Sequence, residues 1–279
     1  MSSGGVFLAR VEDVLAPSRA GATIFHASEL LSSRERERWG GIRHPRRRDE
    51  FLSARLLVKY LWSSRAEPWP AAGAARQLSR EAIRAFLDST LGSRAARRRC
   101  RWLQLLPGAS GAPELAWRGR SLPSLSVSLT HTGGWVAVAL ALAARVGVDL
   151  EKIEPRSESF ATLFTPAQRA WCGAQVQVPA EVSFTLVWAL REAAFKAGIA
   201  GPEGREHLDI VPRGAVPAAL SGMGRAAWPL EPLPVDLPGG GIGLARVFLD
   251  EGFVLAHLAE DPAPVPDGLA GAWSNIGAP

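Results

Sequence analysis

Between residues 46 and 62, Phe51, Leu52, Arg55, Leu56 and Lys59 recur at three- and four-residue spacing, which predicts a helix. Residues 28–40 read as an earlier helix opening after a serine cap, and one or two more are expected near 79–103. Residues 113–123 read as turn-rich. From Ser124 the period changes to two: Leu125, Val127 and Leu129 alternate with serines up to Thr130 and His131, the mark of a strand. Thr132-Gly133-Gly134 turns the chain into a buried strand over 135–142, and VGVDLEKI (146–153) reads as another. Thr165 ahead of Pro166 is a cap with proline in the first helical position. Residues 181–198 carry the strongest helical pattern. Late strands are expected at LDIVP (208–212) and in VFLDEGFVLAHLA (247–259), a hairpin around residues 250–252. The tail from Asp261 is rich in proline and glycine and is expected to be mobile. Strands and helices come in clusters, not as regular βαβ units, so the fold class is α+β.

Composition narrows the picture. The chain has 279 residues, 47% of them hydrophobic, enough for a substantial core. Its 28 glycines and 21 prolines have no period, and ten tryptophans and ten phenylalanines argue against global disorder. The longest apolar run, residues 135–144, is too short to span a bilayer. No secretory signal is read at the N-terminus, so a cytoplasmic location with no membrane association is expected. Two cysteines, Cys100 and Cys172, make neither a disulfide framework nor a zinc spacing. The net charge of +5 favours anionic partners, and almost all positive charge is arginine, concentrated at 34–48 and 94–101.

The chemistry concentrates in few residues. Asp149 and Glu151 stand two apart on a strand, so they share a face and repel unless a cation or proton intervenes. Spacing alone fits a solvated strand end equally well. In WALREAAFK (188–196), Trp188, Glu192 and Lys196 form one helical stripe with largely apolar neighbours. A plain Glu–Lys surface pair is the simpler reading. Beside a Gly-Gly turn, His131 is suited either to structure or to holding a phosphate. Together these parts suit Mg²⁺ and a phosphate ester, and no P-loop, GxSxG, HExxH or zinc motif is present.

The order THTGGW, then VGVDLE, then WALREAAFK resembles the Sfp-type 4′-phosphopantetheinyl transferases, whose hallmark is a (V/I)G(V/I)D-x-E strand followed by a W-x-x-K-E-x-x-x-K helix. FLSARLLVKYL and FTPAQRA are similar to further elements of that family, and the likeness covers roughly residues 30–62 and 111–260. The resemblance implies a pseudo-twofold α+β fold of two similar halves, each a small antiparallel sheet packed on a helix. These would be residues 1–143, with 63–110 as a possible insertion, and residues 146–260, followed by a flexible tail at 261–279. It also implies that the protein moves 4′-phosphopantetheine from coenzyme A to a serine of an apo acyl or peptidyl carrier protein. Asp149, Glu151 and Glu192 would then hold Mg²⁺, with Glu192 also the base and Lys196 contacting the diphosphate. Thr130 and His131 match the family's phosphate-binding turn. Arg46, Arg47, Arg48 and Arg55 lie in the region serving the adenine and 3′-phosphate end of coenzyme A. A monomer is implied.

Three positions depart from the family. Arg191 stands where lysine is usual, keeping charge but changing its geometry and placing an arginine among the coenzyme A-binding residues. Ala112 takes the place of a lysine. Glu50 falls near a commonly basic position, leaving the neighbouring arginines to compensate. Two rivals compete with transfer: an inactive homologue that binds coenzyme A or a carrier protein, and a nucleic-acid-binding protein built on the arginine clusters. The intact acidic trio argues against both, so no nucleic-acid partner is expected.

Overall fold

The computed structural model describes residues 4–16, 24–64, 74–108, 112–142, 144–199, 208–216, 227–229, 231–238, 242–249 and 252–259. In chain order the strands are β1 (Gly4–Arg10), β2 (Ala74–Gln77), β3 (Leu103–Pro107), β4 (Pro113–Trp117), β5 (Arg120–Thr132), β6 (Trp135–Leu142), β7 (Val146–Lys152), β8 (Val211–Pro212), β9 (Ala227–Pro229), β10 (Glu231–Asp236), β11 (Ile242–Leu249) and β12 (Phe253–Ala259). The helices are α1 (Val11–Val14), α2 (Ile24–Ser28), α3 (Ser33–Gly41), α4 (Pro45–Ser63), α5 (Arg80–Gly92), α6 (Arg94–Trp102), α7 (Pro166–Ala174) and α8 (Ala180–Lys196). A short 3₁₀ segment, Glu158–Leu163, precedes α7.

The class is α+β. One sheet runs β3-β4-β5-β6-β1-β2-β9 and the other β7-β12-β11-β10-β8. All pairings are antiparallel except β1 with β2. Helix α4 packs on the first sheet and α8 on the second. The first sheet is the larger, and β9 reaches it from beyond the second sheet's early strands.

Several elements differ from expectation. Ser28 closes α2, and the helix expected after it begins at Ser33, where Ser32 and Glu35 form a capping box. The turn-rich stretch after Pro113 is the β4–β5 hairpin, turned at Arg118 and Gly119 with positive φ. Residues 4–10, which carry no strong alternation, form β1 at the middle of the first sheet between β6 and β2. Both faces of that strand are covered, so it needs no polar face. Segment 63–110 supplies Leu78, Ile83, Leu87, Cys100 and Leu103 to the same core as α4. The tail from Asp261 and part of the hairpin turn at 250–252 lie outside the described residues.

Lys59 shows how deeply α4 is locked in. It is 1% exposed, and its Nζ donates to Glu35 Oε2 (3.0 Å) and to the carbonyls of Cys100 (2.9 Å) and Leu103 (2.6 Å). Glu35 also accepts from the backbone N–H groups of Ser32 and Leu105. Every charge in this buried network is compensated, so removing one member strands the others. Lys59→Met is expected to lower unfolding free energy by about 3–5 kcal/mol, measured by urea denaturation. A loss below about 1 kcal/mol would contradict this account.

Candidate active site at the seam of the two sheets

Strand β7 is the edge of the second sheet, yet its open edge is not left to water. The serines that alternate along β5 cover it. Ser126 Oγ accepts from Val146 N (3.2 Å), Ser128 Oγ from Val148 N (3.0 Å) and Thr130 Oγ1 from Leu150 N (3.2 Å). The polar face of β5 is therefore the seam between the two sheets, with each bond worth about 1 kcal/mol net.

Because 146, 148 and 150 face that seam with their N–H groups and bury their side chains, Gly147, Asp149 and Glu151 share the other face and meet α8. Helical spacing on α8 supplies the partners. Lys196 Nζ donates to Asp149 Oδ1 at 2.6 Å and to the Val148 carbonyl at 3.3 Å. Trp188 Nε1 donates to Glu151 Oε1 at 3.1 Å. Thr130 Oγ1 donates to Asp149 Oδ1 at 3.0 Å, tying the first sheet to the same carboxylate. Asp149 is 3% exposed and Glu192 9%.

The electrostatics of this face call for positive charge. Burial, and then the neighbouring Asp149, push the Glu151 carboxyl up to about 7, despite Arg156 at 3.5 Å. Asp149 Oδ2 is buried with no hydrogen-bond partner among the described residues. Such oxygen donors fit a hard divalent cation. Among the described residues, however, no three acidic, histidine or cysteine side chains are gathered closely enough to hold an ion. In place of a gathered trio, Lys196 sits on Asp149.

Helices α3 and α4 bring basic groups to the same place. A cleft of about 560 Å³ is lined by Arg38, Arg55, Ala112 and Ser128 from one side and Phe195 and Lys196 from the other. Burial lowers the Arg55 guanidinium to about 10, and its Cζ lies 3.5 Å from the Phe51 ring centroid. His131 Nδ1 is 3.0 Å from Glu50 Oε2. Arg46 Nε donates to Glu50 Oε1 at 3.1 Å. Burial and the charges of Lys196, Arg47 and Arg55 hold His131 below its ordinary value, against the pull of Glu50.

The structure thus brings Thr130, Asp149, Glu151 and Lys196 together, with Arg55 and Lys196 in one cleft. Arg191 goes elsewhere. It is 4% exposed, donates to the Leu163 carbonyl and stacks near Phe164 and Trp188, both at 5.6 Å. The α8 face that carries it packs against an aromatic cluster, away from the residues that line the cleft. Arg48 spends its charge over the Trp39 ring, 4.0 Å away. Glu50, expected only to weaken the basic stretch, ties Arg46 and His131 together. Gly147 and Phe195 were not singled out by pattern, although a glycine inside a strand signals a close backbone approach. Both cysteines are free and buried, and burial pushes Cys172 up to about 11, which makes it a poor nucleophile. No helix among the described residues is long and apolar enough to cross a membrane.

No curated protein matches the sequence. Residues 145–211, running from the start of β7 through α8 to β8, match the model of the 4′-phosphopantetheinyl transferase superfamily.

Proposed function

We propose that the protein is an Sfp-type 4′-phosphopantetheinyl transferase, moving phosphopantetheine from coenzyme A to a serine of an apo acyl or peptidyl carrier protein with Mg²⁺. One observation carries the reading. Within the segment that matches the superfamily, Lys196 both bonds Asp149 and lines a basic cleft to which α3 and α4 contribute Arg38 and Arg55.

The carrier serine Oγ attacks the phosphorus that bears the pantetheine arm. Its bond to the rest of the diphosphate breaks, and adenosine 3′,5′-bisphosphate leaves. Glu192, on the same helical stripe as Lys196, takes the serine proton. Lys196 offers N–H donors and charge to the departing phosphate, which becomes more negative as the bond breaks. Arg55, already buried, meets an anion at little further desolvation cost. Asp149, Glu151 and Glu192 are the carboxylates we assign to Mg²⁺, which when bound would neutralise charge on the diphosphate; holding it requires them to draw closer than they stand here, with Lys196 turned from Asp149. Phe195 is 42% exposed at the cleft wall and offers apolar surface to the pantetheine arm. Incubation with coenzyme A, Mg²⁺ and a panel of apo carrier proteins, read by intact mass, tests the reading: one phosphopantetheine added per carrier is expected. No mass change on any carrier would overturn it.

Lys196 and Arg191 should behave differently. Lys196→Ala is expected to lower kcat by about 10²-fold with little change in the coenzyme A KM. Arg191→Lys should leave both constants near wild type and instead lower Tm by several degrees, because a lysine cannot both reach Leu163 and stack on the rings. Steady-state kinetics and thermal melts on the two variants check this. Matching kinetic defects without a change in Tm would refute the separation.

A further inference from the structure

Glu50 is a carboxylate inside an arginine-rich helical turn, and it is 4% exposed. Its two oxygens are divided: Oε1 accepts from Arg46 Nε at 3.1 Å, and Oε2 faces His131 Nδ1 at 3.0 Å. A buried carboxylate keeps a proton on the imidazole nitrogen that faces it, since two acceptors cannot share that contact. Nδ1 is thereby occupied, and Nε2 becomes the polar atom of His131 left for a ligand. The ring itself is accessible, with 42% of its side chain exposed.

The groups facing the ring are Glu50, Arg47 and Arg55 from α4 and Lys196 from α8. Arg55 and Lys196 line the cleft, so two of the cations that act on His131 are ones an anion entering the cleft would meet. In the free protein these cations and burial oppose a charge on the imidazole, which leaves Nε2 a lone pair. A lone pair repels a phosphate oxygen, whereas an N–H attracts it. A phosphate-bearing ligand cancels the surrounding positive charge and reverses the balance.

We propose that Glu50 is a positioning residue that holds Nδ1–H of His131, so that Nε2 takes up a proton and becomes a donor when a phosphate-bearing ligand enters the cleft. The identity of that ligand as coenzyme A rests on the function proposed above. The tautomer does not. The balance is simple: one proton passes from solvent to Nε2, and no other bond is made or broken. Linkage then requires affinity for the ligand to fall as pH rises past neutrality, by the same coupling that raises the affinity of His131 for its proton.

The test uses the full chain labelled with ¹⁵N. Long-range ¹H–¹⁵N correlation spectra read the tautomer of His131, assigned by its loss in His131→Asn. Calorimetry in two buffers of different ionisation enthalpy reads the protons taken up with coenzyme A and with inorganic pyrophosphate. Wild type is expected to show neutral His131 with Nδ1–H when free, and imidazolium when bound. Glu50→Ala is expected to populate the Nε2–H form, to lose most of the proton uptake and to weaken coenzyme A about tenfold. If that variant does not fold, His131→Asn must bind without proton uptake. An Nε2–H ring in the free wild type, an unchanged tautomer in Glu50→Ala, or ligand binding without proton uptake in wild type would overturn the proposal. Failure of coenzyme A to bind at all would overturn the transferase reading, while the tautomer of the free protein would still decide the role of Glu50.

Discussion

Gly147→Ala is expected to destabilise the protein by at least about 3 kcal/mol, the upper part of the range for forcing atoms into a packed interior. A Cβ at this position would stand 1.7 Å from the Ala193 carbonyl oxygen, 2.7 Å from its carbon and 2.8 Å from Ala197 N. These are backbone atoms of the last turn of α8 and its cap, so no flexible side chain can move aside. The Ala193 carbonyl also accepts from Ala197 N at 2.9 Å, and a shift of α8 large enough to admit a methyl group would disturb that bond. It would also draw Lys196 away from Asp149, now 2.6 Å distant. Denaturant unfolding and circular dichroism of the purified variant measure the loss. A variant melting within a few degrees of wild type would mean that β7 and α8 are not locked at this contact. Gly147→Val should be worse, because the added branches meet the same backbone.

Much of this seam was legible in the sequence. Alternation in SLSVSLTH announced β5, and the spacing of Trp188, Glu192 and Lys196 announced one face of α8. Both periods survive into the fold because each element buries a single face. The function of the serines was not legible. Periodicity says that a face is polar, not whether water or another strand's N–H groups will satisfy it, and here β7 does so. β1 is hidden in the sequence for the opposite reason: with both faces covered it carries no alternation to detect. The surroundings of Arg191 are not legible in the sequence, because helical spacing places a residue on a face without naming what packs there. The aromatic cluster of Phe160, Phe164, Phe184 and Trp188 is assembled from α8 and the segment before α7, and only the fold brings them together. Glu50 and His131 lie on different elements far apart in the chain, so no spacing rule could pair them.

On the proposed metal-assisted transfer, Asp149→Asn is expected to lower activity by at least about 10³-fold while leaving the fold intact, because an uncharged amide would not balance a cation beside the diphosphate. Asparagine keeps an oxygen for Thr130 and Lys196, which contact Oδ1 at 3.0 and 2.6 Å, so packing at the seam is retained. Asp149→Ala loses that acceptor too and should be equally inactive but less stable. The remaining activity carries a second signature. Glu151 titrates at about 7 because burial, and then Asp149, disfavour its charge. On the proposed role of Glu151 toward the cation, its protonated form would not serve, so wild-type activity should fall as pH drops from about 8 to about 6. Removing the charge at position 149 removes the second cause, so the acidic limb of the Asp149→Asn profile should move to lower pH. The same group makes a stability argument of definite sign. Between its unperturbed value near 4.5 and about 7 the folded protein binds more protons at Glu151 than the unfolded chain does. Its contribution to stability therefore falls as pH rises through that window, and in Asp149→Asn it should fall less. Turnover and melting temperature recorded against pH on both proteins check the two halves. An acidic limb that stays in place, or an asparagine variant with near wild-type turnover at saturating Mg²⁺, would show that Asp149 and Glu151 do not act on a shared charge.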